Sequence, residues 1–179
     1  MTLGIDDFKA KLSGGGARST LFKVTLNYPA FALGDVELTS FMCKAAQLPG
    51  STMAELPVPF RGRELFVAGD RTFEQWTVTV INDTNFKVRD ALERWMSGIN
   101  SHATNTGFTN PVDYQADLIV DQLDRDETKL KTYRFLGAFP IMLAPIDLAY
   151  ENVNQIEEFT VDFRYQYWTS NTTDSYDNG

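Results

Sequence analysis

Two stretches of alternation constrain this chain more than any other feature. Around the first, Trp76, Val78 and Val80 alternate with Gln75, Thr77 and Thr79. Near the end, Phe159, Val161, Phe163, Tyr165 and Tyr167 alternate with Glu158, Thr160, Asp162, Arg164 and Gln166. Successive side chains of a strand point to opposite faces, so a period of two in β-branched and aromatic residues specifies strands with one buried face. Leu21–Tyr28 repeats the pattern, with Phe22, Val24, Leu26 and Tyr28 set against Lys23, Thr25 and Asn27, and Pro29 ends it. A chain of this kind has sheet faces to bury.

The intervening segments add further elements. A second strand is expected around Val36–Gln47, closed by the turn Leu48-Pro49-Gly50. Met53–Val67 reads as a strand followed by a charged arm, and Pro57 and Pro59 restrict it to an edge or a bulge. In the Val58–Val67 arm, Leu65-Phe66-Val67 is surrounded by Phe60, Arg61, Gly62, Arg63 and Glu64, with Gly69, Asp70 and Arg71 following. These residue types fit a projecting arm that docks on a neighbour and a well-solvated hairpin equally. Asn82-Asp83-Thr84-Asn85 offers capping side chains to an amphipathic helix over Phe86–Ile99, whose stripe is Val88, Ala91, Leu92, Trp95 and Ile99. Asn100–Asn110 is a polar loop. Tyr114–Leu123 and Lys129–Leu136 form a hairpin around Asp124-Arg125-Asp126-Glu127, and Gly137–Tyr150 is irregular, with one strand at Asp147–Tyr150.

At the start, Ile5, Phe8 and Leu12 share one face of a short helix, and Gly14-Gly15-Gly16 forms a hinge after it. Docking on another subunit and a poorly ordered end are equally compatible with it. Together these segments predict seven or eight strands and one main helix: a mainly β, antiparallel β-sandwich or barrel with one flanking α-helix and a projecting β-hairpin arm. The division expected is 1–19 for helix and hinge, 20–168 for one β domain, and 169–179 for a polar, disordered-looking tail.

Function classes are narrowed by what the residues cannot do. A net charge of −8 with no basic cluster disfavours a grip on nucleic-acid phosphates. No apolar run approaches the roughly 20 residues of a membrane span. The N-terminus lacks a basic start and an apolar stretch, so folding in the cytoplasm is expected. The one cysteine, Cys43, excludes an internal disulfide and a thiolate-cage metal site, and its apolar surroundings make it a small core residue. His102 sits in the polar loop without a ligand set. Asp117, Asp121, Asp124, Asp126 and Glu127 lack the glycine and terminal glutamate of a calcium loop. Glu157 and Glu158, adjacent on a strand, point apart and cannot act on one bond. No phosphate loop or nucleophile motif is present, so neither an enzyme nor a cofactor is expected.

Val67-Ala68-Gly69-Asp70-Arg71-Thr72-Phe73, with Trp76-Thr77-Val78-Thr79-Val80 and Asn82-Asp83 after it, resembles the tail-tube protein of contractile-tailed bacteriophages (myoviruses). The resemblance continues at Leu21-Phe22-Lys23-Val24, Cys43-Lys44-Ala45-Ala46-Gln47-Leu48-Pro49, and Pro57-Val58-Pro59-Phe60 with Arg63. It ends with Ile156-Glu157-Glu158-Phe159-Thr160-Val161 and Tyr167-Trp168. It covers roughly four-fifths of the chain in family order. It implies hexameric rings that share a barrel and stack into a hollow tube inside the contractile sheath, in the virion, conducting double-stranded DNA from capsid to host. The implied partners are further copies of the chain, the sheath, and the tape-measure, baseplate and tail-terminator proteins. The Asn100–Asn110 loop and the long C-terminal tail depart from the family pattern.

Elementary geometry agrees with that implication. A water-filled β-channel takes roughly 16 or more strands, more than one such chain supplies, so several copies must contribute. Six copies at −8 each carry about −48, and an acidic wall repels phosphates over a Debye length of roughly 8–10 Å. Ile5, Phe8, Leu12, Phe60, Arg61, Arg63, Glu64, Phe66, Asp70 and Arg71 are the residues expected at contacts between subunits and rings. A tube initiator or injection-machine tube shares these features. A monomeric carbohydrate- or peptide-binding sandwich, with Tyr165, Tyr167 and Trp168 along a groove, is the reading from a different class; Tyr165 and Tyr167 are more simply core residues, with Trp168 at the rim.

Overall fold

The computed structural model describes residues 4–12, 14 and 16–173. Its elements run α1 (Ile5–Lys11), β1 (Phe22–Leu26), α2 (Val36–Met42), β2 (Cys43–Ala46), β3 (Thr52–Phe60), β4 (Arg63–Thr72) and β5 (Trp76–Ile81). They continue with α3 (Lys87–Ile99), α4 (Pro111–Tyr114), β6 (Ala116–Leu123), β7 (Lys129–Leu143), β8 (Glu158–Arg164) and β9 (Tyr167–Ser170). The main sheet is ordered β1-β6-β7-β8-β5-β2, and β9 also pairs with β7. Every pairing is antiparallel, as the alternation requires. Strands β3 and β4 pair only with each other, forming the projecting hairpin.

The long strand β7 organises the core because it belongs to two half-sheets. Its first half pairs with β6 and β9, and its second half, from Phe139, pairs with β8. The change occurs beside Gly137, whose φ of +60° is the left-handed conformation that glycine adopts at least cost. The inner faces then meet. Val24, Leu26, Leu118, Val120 and Phe135 come from one half, and Trp76, Val78, Val80, Phe159, Val161 and Phe163 from the other; all are buried. Trp76 stacks on Phe135 at 4.3 Å between ring centroids, and Phe163 lies 6.0 Å from both Trp76 and Trp95. The two indoles do not strand their N–H groups: Trp76 Nε1 donates to the Gln47 carbonyl and Trp95 Nε1 to that of Tyr114.

Helix α3 lies over the core with Val88, Ala91, Leu92 and Trp95 buried, the stripe its periodicity specifies. Asp83 accepts from the Lys87 N–H at 3.0 Å, so the predicted capping segment supplies one cap. Helix α2 packs against β1, β2 and β5, bridging the two ends of the main sheet.

Four sequence expectations change. Val36–Met42 is helical where a strand is expected. Asp35 caps it by accepting from the Leu38 N–H at 3.0 Å, and the inward residues Leu38, Thr39 and Met42 follow helical spacing. Pro140 does not interrupt the sheet: β7 continues to Leu143, and Asp147–Tyr150 holds no strand. Beyond Ala138 the β6 pairing has ended, so this part of β7 has β8 on one side only, and a register shift follows Pro140. An edge of that kind tolerates a residue without an N–H. The last strand is two strands, broken at Tyr165-Gln166 as β9 follows the turn of β7 at Gly137. Tyr165 and Trp168 therefore pack on the core, whereas Tyr167 is half exposed and does not belong to it. Thr169 and Ser170, expected in the tail, are paired in β9; residues 174–179 of that tail lie outside those described.

Truncating the ring at the centre of this packing removes contacts with both tryptophans. Phe163→Ala is expected to cost about 3–5 kcal/mol, read as a fall in the urea midpoint at unchanged slope.

Candidate assembly surface

The β3–β4 hairpin is exposed along nearly its whole length. Arg61 and Gly62, with φ of +49° and +80°, turn the chain at its tip. Two consecutive positive φ values belong to the tight turns whose twist matches paired strands. The register places Val58 opposite Leu65, Leu56 opposite Val67 and Phe60 opposite Arg63. Directly opposed residues share a face, so Leu56, Val58, Phe60, Leu65 and Val67 make one apolar face. The other face alternates Pro57 and Phe66 with Pro59 and Glu64.

Nothing in the described chain covers that apolar face. Phe60 is 67% exposed and Leu65 62%, and the two strands pack on each other rather than on the sheet or the helices. A lone two-stranded hairpin is marginally stable in water. Covering the five side chains would contribute roughly 5–8 kcal/mol, allowing for their partial burial already. Both hairpin edges also carry unpaired backbone groups, which invite another strand.

The sequence-predicted contact residues fall into three places. Phe60, Arg61, Arg63 and Glu64 come together at the tip, where the Arg61 guanidinium lies 5.3 Å from the centre of the Phe60 ring. Phe66 is on the opposite face from Phe60, while Asp70 and Arg71 sit near the hairpin base beyond a bulge. Ile5, Phe8 and Leu12 lie on or just after α1, exposed on a helix with no buried residue.

Elsewhere, the groups that chemistry would recruit are occupied or apart. Glu157 accepts from Asn82 at 3.0 Å, and Glu158 pairs with Lys44. Asp121 holds Lys129 at 2.8 Å and accepts from Thr132. His102 is exposed in its loop. Cys43 packs against the core, and burial pushes its thiol up to about 12.

A family model described as phage tail tube protein matches residues 12–171. The chain belongs to the phage tail tube protein family. Among its relatives is the tail tube protein of Enterobacteria phage T4, 35% identical over 166 residues, covering 92% of this chain and 98% of that one. The tail tube protein of Serratia phage KSP90 is 32% identical over 166 residues, covering 90% and 93%. The fold is shared with a chain in the cryo-EM structure of the anti-feeding prophage baseplate. There the TM-score is 0.66 at 14% identity, over 87% of this chain and 95% of the other. It is also shared with a chain of the sheath–tube complex of an extracellular contractile injection system, with a TM-score of 0.60 at 13% identity over 94% and 98%.

One exposed group escaped the sequence reading: Leu148, Tyr150, Val153 and Ile156, in the segment between β7 and β8. The sequence suggests an irregular connection with one strand at Asp147–Tyr150, which would have paired Leu148 and Tyr150 within the chain.

Two outcomes follow. Val58→Asp is expected to move the monomer's unfolding free energy by less than about 0.5 kcal/mol, because the site is solvated; thermal melts of dilute protein check this. Because a thiol needs its thiolate to react, folded Cys43 is expected to alkylate with iodoacetamide at pH 8 more than about tenfold slower than in urea.

Proposed function

We propose that this tail tube protein is the building block of a phage tail tube, with six copies forming a ring and rings stacking into a hollow conduit. The reading is carried by the β3–β4 hairpin, whose apolar face and two open edges have no partner within the described chain. Neighbouring copies cover that face and extend the ribbon, so that a few strands from each copy close one shared barrel. Tip residues Phe60, Arg61, Arg63 and Glu64 meet the adjoining subunit, Phe66 a contact on the face opposite Phe60, and Asp70 and Arg71 the root. Ile5, Phe8 and Leu12 add a second contact through α1.

Inside such a tube the wall carries no nucleic-acid grip. Thr77, Thr79 and Thr160 stud the outer face of the β5–β8 half-sheet, while Asp162 is held by Thr77 at 2.6 Å and Gln75 at 3.2 Å. That face also carries the Lys44–Glu158 ion pair and Arg164, but no basic cluster, and on a chain of charge −8 it lets double-stranded DNA pass without sequence-specific adhesion. The subunit works as a structural part, without catalysis, in a virion where sheath, baseplate, tape-measure and terminator proteins adjoin the tube. The relatives' names and the sheath–tube and baseplate settings of the shared fold support this reading.

Negative-stain microscopy of concentrated protein is expected to show rings or tubes; featureless particles at every concentration would contradict the proposal. Arg63→Glu is expected to reduce tube yield by at least about tenfold, since like charges set against each other at a packed contact cost a kcal/mol or more. Its circular dichroism and melting should match the parent's. Tubes of normal yield from this variant would remove the tip from the contact.

A further inference from the structure

Between β7 and β8, residues 144–157 run without strand or helix and hold large apolar side chains in solvent. Leu148 is 79% exposed and Ile156 71%. The segment walls an open groove of about 1200 Å³, lined among others by Pro145, Asp147, Leu148, Tyr150, Ile156 and Glu157. Glu151 lies between its ends. Among the described residues, no cation pairs with Asp147 or Glu151. Exposed Leu148, Tyr150, Val153 and Ile156 beside the acids Asp147 and Glu151 suit an apolar, basic occupant.

Helix α1 has the complementary chemistry. At 100° per residue, Ile5, Phe8 and Leu12 fall within about 60° of one another. Lys9 and Lys11 flank that stripe on either side, and Asp6 and Asp7 take the back. Neither lysine is in an ion pair among the described residues. Two helical turns, about 10 Å long and 10–12 Å across, occupy roughly 1000 Å³, close to the groove's volume. The hairpin is a poorer fit, since its strands are about 30 Å long.

In its own chain the helix is not seated on the groove, since Ile5 and Phe8 stay exposed. Its linker is tied to the sheet where the Arg18 carbonyl accepts from Gln122 Nε2 at 2.6 Å, beside the Lys129 end of β7. The groove opens after Leu143, at the other end of that bent 15-residue strand.

We propose that the groove formed by residues 144–157 is the socket for helix α1 of a second copy, one ring along the tube. The idea rests on the tube reading above and names the site where one ring engages the next. Ile5, Phe8 and Leu12 seat on Leu148, Tyr150 and Ile156, while Lys9 and Lys11 meet Asp147 and Glu151. Because knob and socket are different surfaces, the contact is head-to-tail and repeats from one copy to the next.

The test uses the full chain carrying Cys43→Ala. Phe8→Cys protein and Leu148→Cys protein are mixed as unassembled subunits and co-assembled, then treated with a short bis-maleimide. The mixture is expected to give at least tenfold more covalent dimer than either variant alone. An Ile5→Cys and Tyr150→Cys pair should repeat the result. Cross-linked dimer from a single variant alone, or tubes of normal yield with no dimer in either mixture, would overturn the socket while leaving the tube reading intact. Failure of the parent chain to form rings or tubes would overturn both.

Discussion

A two-stranded ribbon with an apolar face is not at rest in water. Leu56, Val58, Phe60, Leu65 and Val67 line one side of β3–β4, and both edges of the ribbon lack a strand to pair with. A globular chain normally folds such a ribbon back onto its own sheet, because burying each large side chain contributes on the order of 1.5–3 kcal/mol. Here the sheet is already filled: its inner faces are occupied by Trp76, Phe135, Phe163 and their neighbours, and helices α2 and α3 cover what remains. The ribbon is left over because the core is complete without it. That surplus is the surface that the proposed assembly would cover.

The core, in turn, depends on β7. One continuous strand serving two half-sheets needs a point where its direction changes, and Gly137 supplies it. The final segment obeys the same bend, breaking into β8 and β9 so that each half pairs with its own part of β7. The bend closes the sandwich over the aromatic cluster. The N-terminal linker is tied down near the Lys129 end of the strand, and the exposed segment before β8 begins at its Leu143 end.

Much of this was legible in the sequence, and the parts that were not have physical reasons. Strict alternation revealed β1, β5 and β8, and the 3.6-residue stripe revealed α3, because one-sided burial leaves a periodic trace. The arm was visible as an apolar run among charges, although its residue types alone left docking and solvation in balance. The strand expected at Val36–Met42 became helix α2: a β-branched and aromatic segment can adopt either form, and here the Asp35 cap and the inward packing of Leu38, Thr39 and Met42 favour the helix. Pro140 looked like an interruption because tolerance of proline depends on which side of the strand lacks a partner, a fact of tertiary pairing. The exposed apolar residues between β7 and β8 were not legible as a surface, since a strand at Asp147–Tyr150 would have paired Leu148 and Tyr150 within the chain.

Hydrogen exchange at the backbone amides of Leu56–Val67 tests the central claim most directly, namely that this hairpin is completed by another copy. In dilute monomer those amides are expected to exchange within seconds to minutes, as in a solvated ribbon, while Val78 and Val161 stay protected. In assembled material the hairpin amides should become protected to a level approaching that of the core strands. Equal protection in monomer and assembly, or none in either, would contradict the account.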